Sequence, residues 1–352
     1  MRQQRFHKSF KCNGRSFETE TALISFVKKV SDESVLFLKE WFDEAPFVEV
    51  RTSGSTGKPK KILLKKEFMI NAASATGNYF KLEEKTAVLL CLSSKYIAGK
   101  MMWVRALTLG WHLDVGITST TPLKENSKTY DFSAMLPLQL HHSISDIHKV
   151  KTLIVGGGVV SESLQDKLQN IPTKIYATYG MTETISHIAV KKLNHTDKNT
   201  VSNYEILPNI FISTDLRSCL VIEAPLISNS PIITNDLVVL KKKNQFQWLG
   251  RYDMVINSGG VKLIPEQIER KLSKLLSKRY FISSLPDEVL GEKVILVVEG
   301  VQNSILFKSD ISVFLQGANL QKFEVPKTIY FVPQFVMTET QKIHRSKTIE
   351  LI

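Results

Sequence analysis

Between Phe47 and Ala177, apolar runs of strand length alternate with segments of helical spacing, and this rhythm constrains the fold more than any other feature of the chain. Phe47-Val48-Glu49-Val50 reads as a strand closed by a Gly/Ser/Thr turn. Ala87 to Leu92, Thr152 to Val155 and Lys174 to Ala177 read as further strands. Met101 to Leu109 and Ser161 to Leu168 carry apolar residues at helical intervals, the second with Ser161 placed to cap it. Strands and helices in this order predict a large layered α/β N-terminal domain. Ahead of it, Thr21 to Trp41 reads as a helical lead-in broken at Ser31 and Asp32. From about Ile206 to Leu249 the runs shorten (Ile210 to Ile212, Cys219 to Glu223, Leu237 to Leu240), which predicts a small antiparallel or barrel-like β subdomain.

After Gly250 the pattern changes again. Asp253 to Asn257 and Val261 to Ile264 flank a Ser-Gly-Gly turn, and a helix opens at Pro265 with Ile268, Leu272, Leu275 and Leu276 on one face. Val294 to Glu299, a helix near Ser309 to Gln316, and Thr328 to Val332 complete a compact α+β unit. The expected boundary lies at 250–253, giving a large domain over 1–250 and a small mobile C-terminal domain over 251–352.

The 352 residues are 43% hydrophobic and 23% charged, a composition able to bury a large core. No run of 18 apolar residues occurs, so no membrane span is expected, and the basic Met1 to Phe10 is followed by no apolar stretch of signal-peptide type. Cys12, Cys91 and Cys219 are widely spaced and odd in number, which suits reduced thiols in a cytoplasmic protein. A net charge of +12 describes either a solvated basic surface or a field that gathers polyanions. The lysine clusters (Lys60-Lys61, Lys65-Lys66, Lys241 to Lys243) are short and not interleaved with aromatics, so no nucleic acid partner is expected.

The segment Thr52-Ser53-Gly54-Ser55-Thr56-Gly57-Lys58-Pro59-Lys60 follows a strand. Its small residues let backbone N–H groups approach phosphate oxygens, its hydroxyls add donors, and Lys58 and Lys60 add charge. It is a poor P-loop, because only Ser55 and Thr56 separate Gly54 from Gly57 and a proline follows Lys58.

With Tyr179-Gly180-Met181-Thr182-Glu183, this string resembles the superfamily of acyl-CoA synthetases, peptide-synthetase adenylation domains and luciferases. The resemblance runs from about Val48 to Arg345, with the motifs in the family's order. It implies that Tyr179 stacks near adenine, that Thr182 touches the α-phosphate, and that Glu183 helps to hold Mg²⁺. A ring, a hydroxyl and a hard oxygen suit those tasks. Gly156-Gly157-Gly158 matches the family's glycine turn against adenine, and is equally readable as a helix-entry turn. Asp236 and Arg251 match the pair on the ribose hydroxyls, with Asn235 where the family has Gly; Asp253 matches the hinge. Gly259 and Gly260 resemble the loop beside the pantetheine arm of coenzyme A. Thr340-Gln341-Lys342-Ile343-His344-Arg345 resembles the terminal Thr-Gly-Lys-Ile-x-Arg, with Gln for Gly, so that Lys342 is implied as the adenylation lysine. The resemblance thus implies ATP, Mg²⁺, coenzyme A and a small-molecule carboxylate as the reaction partners.

Leu92 to Leu113 lies where the family lines its acyl pocket and looks like that region of the o-succinylbenzoate–CoA ligases of menaquinone synthesis, with Lys95 in place of His. A substrate with two carboxylates needs a cation for the non-reacting one, and Lys95, Lys100 and Arg105 are the candidates. Tyr96, Met101, Trp103 and Trp111 read as an apolar pocket wall or as core. The phosphate loop begins at residue 52, earlier than in typical members, which leaves open a self-sufficient fold or a homo-oligomer over exposed core. Two other readings stand beside the coenzyme A ligase: an enzyme loading a carrier-protein pantetheine, and a nucleotide-binding scaffold whose catalysis has decayed.

Overall fold

The structure, a computed structural model, describes residues 5–51, 60–196, 202–273, 275–276, 278–301, 319–338 and 342–352. Its strands, in chain order, are β1 (Lys11–Cys12), β2 (Phe47–Arg51), β3 (Lys61–Lys65), β4 (Ala87–Leu90), β5 (His112–Val115), β6 (Tyr130–Met135), β7 (Val150–Val155), β8 (Lys174–Gly180), β9 (His187–Lys192) and β10 (Tyr204–Ile206). They continue with β11 (Phe211–Thr214), β12 (Cys219–Glu223), β13 (Ile232–Lys242), β14 (Gln245–Arg251), β15 (Ile256–Ser258), β16 (Val261–Leu263), β17 (Tyr280–Asp287), β18 (Gly291–Glu299) and β19 (Thr328–Val332). The α-helices are α1 (Glu20–Val27), α2 (Asp32–Trp41), α3 (Lys66–Phe80), α4 (Ile97–Leu109), α5 (Pro137–His142), α6 (Glu162–Leu168), α7 (Pro265–Leu272) and α8 (Arg345–Ile349).

Twelve described strands form one sheet in the order β1-β5-β4-β6-β7-β8-β9-β10-β14-β13-β12-β11. From β1 to β8 every pairing is parallel; from β8 onward every pairing is antiparallel. Strand periodicity sends alternate residues to opposite faces, and both faces of the parallel half are covered. Val88, Leu90 and Ile154 join the core beneath α1 to α4, whereas Leu89, Leu153 and Val155 join a second cluster with Leu140 of α5 and Leu164 and Leu168 of α6. The break at Ser31 and Asp32 separates α1 from α2, with the Ser31 hydroxyl accepting from Ser34 N–H; Ser161 caps α6 in the same way.

Three features differ from the sequence expectation. The strand at 47–51 stays out of the large sheet and pairs only with β3. The short runs after Ile206 are antiparallel strands, but they extend the parallel sheet at its edge rather than close a barrel. The long helix α3 has no counterpart among the expected elements; it packs on α4 at Gly77, where a Cβ would stand 2.8 Å from Leu109 Cδ1. A second sheet, β16-β15-β18-β17 with β19 parallel to β18, takes α7 against it. The helix expected near Ser309 to Gln316 lies outside the described residues.

Candidate active site

The C-terminal ends of β6, β7 and β8 meet the N-terminal half of α4 around a cavity of about 400 Å³. In parallel sheets this edge is where ligands enter, since the strands end there and the connecting loops diverge. Gly156 and Gly157 form part of the wall, and both positions demand glycine. A Cβ on Gly156 would stand 2.6 Å from Thr178 Oγ1, and Gly157 has φ +81. The result is a backbone surface onto which a flat ring can lie. Gly158 is next in the chain but not in the wall.

Gly180 ends β8 opposite His187, and a Cβ there would stand 2.4 Å from Ser186 O. The chain then turns through the short helical segment Thr182–Thr184, held by Met181 N–H donating to Thr184 Oγ1 at 2.9 Å. This turn sets the half-buried Thr182 in the cavity wall. It leaves Glu183 exposed, with a carboxylate that makes no hydrogen bond or ion pair among the described residues. A solvated, unpaired carboxylate beside a hydroxyl fits a hard divalent cation such as magnesium.

Across the antiparallel ladder, Asp236 on β13 faces Arg251 on β14. Tyr179 donates its hydroxyl to Asp236 Oδ2 at 2.6 Å and Trp248 Nε1 donates to Oδ1 at 3.1 Å, while Arg251 Nη1 stands 3.7 Å from Oδ1. Burial and the neighbouring carboxylate push the Tyr179 hydroxyl well above its usual pKa. Arg251 also grips Asp253 through Nε and Nη2, both at 3.0 Å. Asn235, the departure from Gly, accepts from Arg217 Nη1 at 2.9 Å.

Lys342 enters the cavity wall from the C-terminal segment. Its backbone is pinned by two hydrogen bonds with Thr338, N–H to Oγ1 at 3.0 Å and carbonyl from Thr338 N–H at 2.8 Å. Three residues on, Arg345 donates to Glu269 Oε2 at 3.0 Å and lies 3.8 Å from Glu266, both on α7. Desolvation and the nearby Arg251 lower the pKa of the Lys342 ammonium, and Asp236 opposes that shift. The two regions of the chain that carry the lysine and the Asp236–Arg251 pair are therefore electrostatically in contact.

Of the three cations expected to meet a substrate, only Arg105 borders the cavity. It is 2% exposed, and its partners are neutral: Thr76 Oγ1 at 3.2 Å, Met102 Sδ at 3.6 Å and Ser186 Oγ at 2.6 Å. Desolvation alone pushes its pKa down to about 10. Lys100 is corrected to a structural role: its ammonium binds Glu40 at 3.0 Å and Glu49 O at 3.0 Å, and lies 5.4 Å from the Phe37 ring centre. Helical geometry turned it away from the cavity, since it is five positions from Arg105 on α4, or about 140° around the axis. Lys95 is exposed, outside the wall. Tyr96 and Met101 border the cavity, whereas Trp103 and Trp111 are core, with Trp103 Nε1 donating to Ser34 Oγ at 3.1 Å.

Gly259 and Gly260 form the two-residue turn between β15 and β16 with φ +57 and +81, and they do not border the cavity. Lys60 is exposed; Thr52, Ser53, Gly54, Ser55, Thr56, Gly57 and Lys58 lie outside the described residues. Sequence reasoning missed Gln139, Ser186 and His187 in the wall. Gln139 bridges Cys91 O and Ser119 O, both at 2.9 Å, and no local pattern marks it.

A mixed sheet with helices on both faces of its parallel half, a glycine-walled cavity at the strand ends and a lysine brought in from the chain's end define the class of adenylate-forming enzymes. The AMP-binding enzyme family model matches residues 43–209. An acyl-CoA synthetase (AMP-forming)/AMP-acid ligase II-like protein from Dyadobacter fermentans is 33% identical, with 94% of this chain and 97% of that one covered and a TM-score of 0.60. The chain belongs to this family of AMP-forming acid–thiol ligases. A 2-succinylbenzoate–CoA ligase from Geobacillus sp. (strain WCH70) is 24% identical over 94% of this chain and 74% of the relative. One from Listeria monocytogenes is 26% identical over 85% and 68%. The o-succinylbenzoate coenzyme A synthetase of Bacillus subtilis, in complex with ATP and magnesium ion, shares the fold at TM-score 0.75 and 17% identity, over 86% of this chain and 69% of that one. No described helix is long and apolar enough to cross a membrane, and all three cysteines are buried free thiols.

Proposed function

We propose that the protein activates 2-succinylbenzoate as its acyl-adenylate at the expense of ATP and passes the acyl group to coenzyme A. The observation that carries this reading is Arg105: a guanidinium buried at the cavity wall that forms no ion pair among the described residues. Burying a charge without a counter-ion is costly, and a substrate carboxylate supplies the missing one. A monocarboxylic acid would leave that cation unpaired while its only carboxylate reacted. The relatives named as 2-succinylbenzoate–CoA ligases support the same substrate.

In this reading the adenine lies on Gly156 and Gly157, and Asp236 and Arg251 hold the ribose, one accepting and one donating. The Tyr179 hydroxyl is committed to Asp236, so the tyrosine would orient the Asp236 carboxylate for the ribose as well as flank the base. Thr182 donates to the α-phosphate. Glu183 would hold magnesium, which when bound offsets the charge of the phosphates. Lys342 places its ammonium between the reacting carboxylate and the α-phosphate, where negative charge gathers as the carboxylate oxygen attacks phosphorus and pyrophosphate leaves. Asp253 would serve as the hinge on which 251–352 turns as a mobile domain, bringing Gly259 and Gly260 to the cavity for attack of the coenzyme A thiol on the acyl-AMP carbonyl, with AMP leaving.

The test is pyrophosphate release with ATP and Mg²⁺ over an acid panel (2-succinylbenzoate, benzoate, a medium-chain fatty acid, several amino acids), with and without coenzyme A. Selective turnover of 2-succinylbenzoate to a coenzyme A thioester is expected. Preference for a monocarboxylic acid, or transfer only to a pantetheinylated carrier, would overturn the assignment.

A further inference from the structure

Arg105 has a neighbour whose hydrogen bonding is incomplete. His187, the first residue of β9, borders the same cavity, and its Nε2 is buried with no partner among the described residues. The proton on the ring is assigned through the chain of donors leading to it. Arg105 Nη2 can only donate, so Ser186 Oγ accepts from it at 2.6 Å and keeps its own proton to give. His187 Nδ1 lies 3.4 Å from Ser186 Oγ, a contact that either atom can donate; the tautomer in which the serine gives its proton to Nδ1 is part of the inference. With Nδ1 accepting, the neutral ring carries its proton on Nε2. Desolvation and the charge of Arg105 push the ring pKa down to about 3, so it stays neutral. A buried N–H donor is thus left without an acceptor, beside a buried cation without an anion, among the described residues.

We infer that His187 determines specificity by donating its Nε2 proton to a neutral acceptor on the acid, the ketone oxygen that stands ortho to the carboxylate held by Arg105. This rests on the proposed 2-succinylbenzoate activation and deepens it. In that acid the ring carboxylate and the ketone are attached to adjacent carbons, and Arg105 and His187 both reach the Ser186 hydroxyl, at 2.6 and 3.4 Å, so a charge and a dipole are offered next to each other. A site built to donate to a carbonyl discriminates strongly against an analogue lacking it, because the buried donor then stays unpaired.

The experiment compares 2-succinylbenzoate with 2-(3-carboxypropyl)benzoate, in which a methylene replaces the ketone, by kcat/KM for pyrophosphate release in the full chain. Wild type is expected to prefer the keto acid by roughly ten- to a hundredfold. His187→Phe should bring the ratio close to one, chiefly through KM, and His187→Gln, which retains an N–H donor, should keep part of the preference. Equal use of the two acids by wild type overturns the role of His187 and leaves the proposed function standing, as does a preference that survives in His187→Phe. Failure of wild type to use either dicarboxylic acid removes the proposed function and this inference with it. If neither variant folds, the wild-type ratio decides alone: a ratio near one overturns the inference and a strong keto preference supports it.

Discussion

Asp236 and Arg251 are direct partners across the β13–β14 ladder, with Arg251 Nη1 standing 3.7 Å from Asp236 Oδ1. Fifteen residues apart in sequence, they are brought side by side by one antiparallel pairing. The same carboxylate takes hydrogen bonds from Tyr179 and Trp248, so a single ladder position orders four side chains. Asp236→Asn would exchange a charged acceptor for a neutral one at the centre of that group. ATP binding, read by calorimetry, should weaken by about tenfold or more. An unchanged Kd would remove Asp236 from the nucleotide site.

Lys342 is expected to act in adenylation and not in thioester formation. Lys342→Ala should lower acyl-AMP formation by about 10² to 10³, the loss typical of removing one charge-stabilising donor, and leave conversion of preformed acyl-AMP largely intact. The pH dependence follows from the sign of its shift. The ammonium is the active form, and its pKa lies below that of an ordinary lysine because of desolvation and Arg251. The first half-reaction should therefore be full at neutral pH and fall, as pH rises, through a point lower than that of an ordinary lysine. Rapid-quench measurement of acyl-AMP against pH checks this; a profile flat to pH 10.5 would contradict it.

Arg105 is expected to trade stability for recognition. Replacing this buried cation, which has no ion pair among the described residues, by Leu should leave the fold as stable or raise its stability by about 1–4 kcal/mol, as apolar replacements of buried charges do. Thermal unfolding would report that gain while kcat/KM for the dicarboxylic acid fell by about a hundredfold or more. Marked destabilisation instead would make Arg105 a structural residue.

Lys100 should behave in the opposite way. Its ammonium joins α4 to α2 through Glu40 and to β2 through the Glu49 carbonyl. Lys100→Ala leaves the Glu40 carboxylate without its counter-charge, holding only the Glu49 N–H, and a loss on the order of 3 kcal/mol is expected in denaturant unfolding. The KM for the acid, measured on the folded fraction, should not change. A selective rise in KM would return Lys100 to the substrate site.

The sequence by itself determined the layered α/β order, the helical break at Ser31 and Asp32, the cap at Ser161, the helix at Pro265 and the strand at Thr328 to Val332, because these depend on local periodicity and capping. Motif order also marked Gly156, Gly157, Thr182 and Lys342, which the fold gathers at one cavity. Tertiary structure alone decided the rest. The helix α3 is seated on α4 by the close approach at Gly77, and the strands after Ile206 joined the central sheet through pairings that no local pattern encodes. It also separated Lys100 from Arg105, five positions apart on one helix: one faces a glutamate on α2 and the other an open cavity. Residue type and spacing were the same kind of signal for both. What differs is whether a counter-charge lies within reach, and that depends on which elements pack around the helix.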